Sequence, residues 1–401
     1  MPEGSAGDER FCGNILMLRV LALTLTVLSA YPASGGSRSL VREGSYWVEI
    51  QSGTLPNAGL LRIRMRGPVT VRGGASVTKY VLRTRVPART EAEARRLLRQ
   101  LQWQSVSNRN GSSITLTSGQ KPAAFAELSV AAVSLTPLSI DTYSGDLEIY
   151  DIRSSVHART GAGSIQMDRI GGDVDARTSG GEIRMGRIGG GVRCFTGGGS
   201  IQVAHTGAES WFETAGGNVE LGNVNGAVHA TTAGGNIKLV RAGGQVVARS
   251  AGGRIEIQEA RGAVVAGNSG GSIQVGQASG VRLEATGGSI RLRGSSGALR
   301  AACDVGSILA ELIPGVRLQD SILSTGAGDI TVLIPSNIAL TIKALNDSDR
   351  IGRIVSEFPE ILIRQMERQS RMLAEGSLNG GGPVLQLTST GGTIYLRRLR
   401  Q

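Results

Sequence analysis

The chain has 401 residues, with 59 glycines, 3% aromatics and 40% hydrophobic residues. Glycine at roughly twice its usual share but without a Gly-X-Y period excludes collagen. The hydrophobic fraction excludes wholesale disorder, and so few rings exclude a broad core filled by large side chains.

A net charge of +11 admits nucleic acid, anionic lipid or acidic polysaccharide as partners. The arginines that carry it are dispersed, and no aromatic-interleaved basic patch or RNA-binding signature is present. The reading is therefore no nucleic acid, and a soluble envelope protein with a scattered basic surface is preferred.

At the N-terminus, Met17-Leu-Arg19 opens an apolar run that ends at Ala30, with small residues following to Gly36. A short basic start, an apolar stretch too short to span a bilayer and a small-residue cleavage region predict a secretory signal over residues 1–33. Glu3, Asp8 and Glu9 suit the start of such a signal poorly, so Met17 is the expected initiator. The expectation is an exported protein (periplasm, cell surface or extracellular) with no integral membrane domain and no lipobox cysteine. Cys12 leaves with the leader. Cys194 and Cys303 remain, without CxxC spacing. Cys194 stands where neighbouring repeats carry Ala158, Ala176 and Ala230, which marks a small buried packing residue.

Residues 34–140 carry strand-like runs at Tyr46 to Ile50, Leu60 to Met65, Val69 to Val71, Tyr80 to Arg85, Ser113 to Thr117 and Ala126 to Val133. Thr90-Glu-Ala-Glu93, heading a run to Leu101, has the form of a capping box and predicts one helix. The stretch reads as a β-rich N-terminal cap.

Over residues 141–346 a glycine recurs before each x-Ile-x-Val element, at Gly145, Gly163, Gly181, Gly199, Gly217, Gly235, Gly253, Gly271, Gly288 and Gly306. The step is 18 residues, with one of 17, a register that chance does not hold. Apolar residues stand two and four places after each anchor, as in Ile165 and Met167 or Ile237 and Leu239, the alternation of a strand with one buried face. A second strand alternates as Val156-x-Ala158-x-Thr160 or Val228-x-Ala230-x-Thr232. Turns such as Gly171-Gly172 and Asn225-Gly226 separate the two.

Two strands per repeat fit either a hairpin or one coil of a solenoid. The outward residue three places after the anchor runs Glu148, Gln166, Arg184, Gln202, Glu220, Lys238, Glu256, Gln274, Arg291, with no two like charges adjacent. Stacked in parallel about 4.8 Å apart, such residues support one another, whereas a meander gives their order no purpose. The prediction is an all-β parallel β-solenoid (β-helix) of 18-residue coils, with a thin core of small aliphatics.

The anchor returns at Gly328, after a four-residue insertion around Pro314-Gly315, and at Gly392 within final strands over 378–401. Between them, residues 347–377 break the pattern. Leu362, Met366 and Leu373 share a helical spacing, interrupted by Gln369, which predicts a helical insert packed over the last coils.

β-Helices include polysaccharide lyases and hydrolases, whose chemistry needs converging acids, or a metal with a basic residue. The outward rows hold no carboxylate cluster, Asp146 and Asp329 suit turns, and His157, His205 and His229 lie in different coils. The repeat also lacks the aspartates of the GGxGxD calcium roll. No catalytic, metal-binding or cofactor-binding residue is assigned, and a non-enzyme is expected. One coil departs from the pattern, with Ser210-Trp211-Phe212 in place of Val-x-Ala. Trp211 is predicted to point outward near Phe195 of the preceding coil. Such a pair can stack on a sugar ring or a partner surface; a local packing adjustment is the preferred reading.

The units Thr-Ser-Gly-Gly-Glu-Ile-Arg-Met (178–185) and Thr-Ala-Gly-Gly-Asn-Ile-Lys-Leu (232–239), with Gly328-Asp-Ile-Thr-Val-Leu-Ile-Pro335 and Leu378-Asn-Gly-Gly-Gly382, resemble the bacterial "putative adhesin" family of exported β-solenoid proteins. The resemblance spans about residue 55 to the end; it implies the fold and brings no catalytic residues. The first functional reading is an exported scaffold or adhesin-like protein. It would bind envelope or extracellular polymers through flat sheet faces, the partner being a polysaccharide, an envelope surface or a protein. The alternatives are a carbohydrate-active β-helix enzyme and an envelope-stress component acting through protein contacts.

Overall fold

A computed structural model describes residues 36–56, 59–108, 111–118, 124–348, 353–366 and 371–400, so the signal expected at 1–33 lies outside the described residues. The repeat is a parallel β-solenoid with two strands per coil. The anchor strands, from Leu147–Tyr150 through Ile165–Asp168 and Ile183–Ile188 to Ile308–Glu311, form a first sheet. Val156–Thr160, Val174–Thr178, Val192–Thr196 and their successors form a second. Register advances one repeat at a time: Leu147 pairs with Ile165 and Ile165 with Ile183, while Val156 pairs with Val174 and Val174 with Val192. Glu148, Gln166, Arg184, Gln202, Glu220 and Lys238 therefore stand in one line, and the meander is excluded.

Ile183, Ile201, Val219 and Ile237 of the first sheet share one continuous buried core with Ala176, Ala230 and Ala248 of the second. Cys194 takes an alanine place in that row, buried beside the sulfur of Met185 at 4.0 Å. The anchor glycines are required by the closeness of successive coils. A Cβ on Gly181 would stand 1.8 Å from the carbonyl oxygen of Gly163.

The ladder also runs into the stretch expected to form the cap. Leu61–Met65 and Val69–Arg72 make a coil in register with Leu138–Thr142 and Leu147–Tyr150. After them the chain turns outward, and Gly111–Ser118 and Phe125–Ala131 add a further coil on the far side. Antiparallel strands finish both sheets there: Thr78–Pro87, Tyr46–Leu55 and Ser37–Glu43 on the first, Leu101–Asn108 on the second. The helix Glu91–Leu98 forms on its capping box, with the Glu93 N–H donating to Thr90 Oγ1 at 3.3 Å and the Glu93 carboxylate accepting from the Arg89 N–H at 2.9 Å. Ala94 and Leu98 of this helix pack with Val86. Leu101, expected as its end, opens a strand instead.

The C-terminal end is threaded out of sequence order. Val384–Ser389 and Thr393–Arg398 slot between the coil of Ser321–Ala327 and Ile330–Ile334 and the coil of Leu340–Asn346 and Arg353–Ser356. The structure corrects the helical insert expected at 347–377: its described residues form strands. Arg353–Ser356 joins the first sheet, while Leu362–Gln365 and Met372–Leu378 extend the second. An open sheet edge decides the matter. Met372–Leu378 pairs along its whole length with Leu340–Asn346 and buries Ala374 and Leu378, satisfying backbone groups that a helix would leave exposed on that edge. Leu362 and Met366, which carried the helical spacing, stay exposed.

Candidate functional site

Both outward faces carry arginine, in part held by carboxylates. On the first sheet, carboxylates hold several guanidinium groups: Arg169 pairs with Asp151 and Asp168, Arg184 with Glu182, Arg241 with Glu259 and Arg293 with Glu311. The Arg169 hydrogen bonds hold the Asp151 carboxyl below its ordinary range. A shallow groove of about 600 Å³ runs along this face over Gly186, Ala204 and Gly222. Gly186 has a local cause, since a Cβ there would lie 2.0 Å from Asp168 Oδ1, which accepts the Arg187 N–H at 2.9 Å.

On the second sheet, Arg159 and Arg177 are register neighbours, and Arg193 follows one coil later in the adjacent outward row. Asp175 pairs with Arg177 at 2.9 Å and faces His157 Nδ1 at 3.4 Å. Among the described residues no carboxylate lies within ion-pair distance of Arg159, Arg193 or Arg249, all exposed. Arg282 of the same sheet is held by Glu284 at 3.0 Å, so this face mixes paired and unpaired guanidinium groups.

Trp211 points outward, 38% exposed, as does Phe195, 44% exposed. They lie one row apart. The in-register neighbours of Phe195 are Arg177 and Glu213, and those of Trp211 are Arg193 and His229. Both faces of the indole are covered: the Arg193 guanidinium sits 4.9 Å from the ring centre, and the His229 imidazole stacks at 5.1 Å with a 6° tilt. His229 Nε2 lies 3.4 Å from Glu209 Oε1. The result is an Arg193–Trp211–His229 stack along the solenoid axis that offers the indole edge to solvent. A groove of about 580 Å³ beside it is lined by His157, Asp175, Arg193, Glu209 and Trp211.

Local sequence places this stack. Period-two alternation sends Phe212 inward, where it is fully buried between Cys194 and Ala230 of its row, and so sends Trp211 outward. Ser210, standing between Val192 and Val228, makes room beside it. Its hydroxyl donates to the Ala208 carbonyl at 3.0 Å and accepts the Val192 N–H at 3.2 Å.

Sequence reasoning found the two aromatics but missed the basic and aromatic patch, because its members come from successive coils. Aligning the outward position after each second-strand valine reads His157, Asp175, Arg193, Trp211, His229 and exposes it. Among the described residues, no group of three or more His, Cys, Asp and Glu is placed to hold a metal ion. Cys194 and Cys303 are free and buried, and no described helix is long and apolar enough to cross a membrane.

No family model matches the chain, and no curated protein matches it. Among solved structures, the chain is similar to a "putative cell adhesion protein" from Clostridium sporogenes, at 8% identity over 88% of this chain and 100% of that one, with a TM-score of 0.18. It is similar to a "putative adhesin" from Bacteroides fragilis at 12% identity over 88% of this chain and 97% of that one, TM-score 0.22. A "putative adhesin" from Parabacteroides merdae matches at 10% identity over 72% and 96%, TM-score 0.24.

Proposed function

We propose that the protein is an exported, non-enzymatic, adhesin-like protein that binds an envelope or extracellular polymer through the outward face of its second sheet. The observation that supports this reading is the Arg193–Trp211–His229 stack, with the unpaired Arg159 two coils before Arg193 on the same face. Its side chains are already ordered against one another, so a ligand meets a surface that loses little rotamer freedom on binding. Strands with a coil-by-coil repeat present outward side chains at a regular interval, which suits a chain-like ligand.

The test is incubation with a panel of polysaccharides, reading retention and depolymerisation together. Retention without cleavage is expected, weakened by Trp211→Ala. Cleavage of any glycan would refute the non-enzymatic reading.

A further inference from the structure

Resting on that reading, we infer that the polymer is a linear acidic polysaccharide bearing carboxylates, laid along the solenoid axis across the second sheet. The recognition chemistry follows from the free cations. Arg159 and Arg193 have no carboxylate within ion-pair distance, their register neighbours Asp141 and Asp175 standing farther off, whereas Arg177 shares Asp175 with His157. Every strong cation in this patch is an arginine, whose planar fork takes a carboxylate through two parallel hydrogen bonds. Successive coils rise about 4.8 Å, close to the advance of one sugar in a 1,4-linked chain, so a uronate run along the axis passes Arg159 and, two coils on in the adjacent row, Arg193.

The same patch argues against the other polyanions. Single-stranded nucleic acid is held by bases stacking on successive free aromatic faces; both faces of Trp211 are occupied by Arg193 and His229, which leaves a single exposed ring, Phe195, in the patch. A duplex presents a dense phosphate charge, against which Asp175, Glu209 and Glu213 on this face would repel. A polyuronate carries one charge per sugar on a single chain, a sparser charge that those acids repel less. For the sugar rings, the exposed Phe195 ring and the indole edge supply apolar contact beside the guanidinium groups.

The experiment measures affinity of the whole protein for polygalacturonate and for the same chain with its carboxyls methyl-esterified. Binding to the free acid is expected, with about a tenfold loss on esterification and a further loss as salt is raised. Arg159→Gln and Arg193→Gln should each weaken it about three- to tenfold, while Arg241→Gln on the first sheet leaves it unchanged. Circular dichroism melts confirm that each surface variant is folded. Equal affinity for the esterified chain overturns the acidic inference and leaves polymer binding standing. Failure to bind any polysaccharide overturns both. Tighter binding to duplex DNA or to vesicles of anionic phospholipid than to polygalacturonate overturns the choice of a polysaccharide.

Discussion

The hydroxyl of Thr178 donates to the carbonyl oxygen of Gly163, one coil back, at 2.9 Å and accepts the amide of Gly181, in its own coil, at 3.2 Å. The arrangement repeats at Thr196, Thr214, Thr232 and Ser250, and Asn268 reproduces it with its amide group. Each buried side chain thus joins two anchor glycines whose peptide groups turn at the corner between the sheets. Cys303 occupies the same place and gives its thiol to the Gly288 carbonyl at 2.9 Å.

The ladder predicts an asymmetric response at one position. Thr214→Val keeps the shape but strands the Gly199 carbonyl and the Gly217 amide in a buried corner, at a cost of about 2–3 kcal/mol in denaturant unfolding. Thr214→Ser should stay within about 1 kcal/mol of the parent, because Ser250 already fills the place in another coil. A valine variant as stable as the parent would show that the hydroxyl row contributes nothing.

Two adjacent kinds of glycine should separate cleanly. A Cβ on the anchor Gly217 would stand 2.1 Å from the Gly199 carbonyl oxygen, so Gly217→Ala forces two coils apart and should cost more than about 3 kcal/mol. At Gly234 the nearest atom to such a Cβ is 3.7 Å away, and Gly234→Ala should unfold within about 1 kcal/mol of the parent. Thermal melts of the two variants side by side test whether close approach, and not loop flexibility, explains the glycine content.

The coil is legible in the sequence because its signal is translational. Every eighteenth residue sits in the same backbone environment, so anchors such as Gly181 and Gly199 and the row from Glu148 to Arg291 align without knowledge of any distant partner. The C-terminal end has no such signal. Leu362 and Met366 satisfy a helical spacing and equally an exposed strand edge; what decides is pairing of Met372–Leu378 with Leu340–Asn346, which no local pattern encodes. Insertion of the last coil between two earlier ones is likewise invisible locally. At the candidate face, period two suffices to send Trp211 outward, but Arg193 and His229 reach its ring from neighbouring coils.

Neighbouring aromatics in that coil should divide stability from binding. Phe212→Ala empties a fully buried site and should cost about 3–5 kcal/mol in unfolding. Trp211→Ala removes a ring held at the surface between Arg193 and His229, worth about 1 kcal/mol or less to the fold. Yet it dismantles the stack, so polymer retention should fall while the melting curve barely moves. The opposite outcome, lost stability with retention intact, would assign Trp211 to packing alone.

Thiol chemistry supplies a pH test. Burial pushes the Cys194 thiol far above its ordinary value of 9.0, and burial also raises that of Cys303. Both should resist thiol reagents at pH 8 in the native protein and react once it is unfolded. The sign of the linked stability follows from proton uptake. Above about pH 9 an unfolded chain ionises Cys194, while the folded chain keeps the proton, so folding stability is whole below that pH and declines as the pH rises beyond it. Alanine fills the equivalent place in the neighbouring coil at Ala176, so Cys194→Ala should fold with a loss of only about 1 kcal/mol at pH 7. Comparing the two proteins isolates the thiol from other alkaline groups such as Tyr150. The stability difference should narrow as the pH climbs past 9 and reverse before pH 11, at about 1.4 kcal/mol per pH unit, and parallel curves over that range would place Cys194 outside the core.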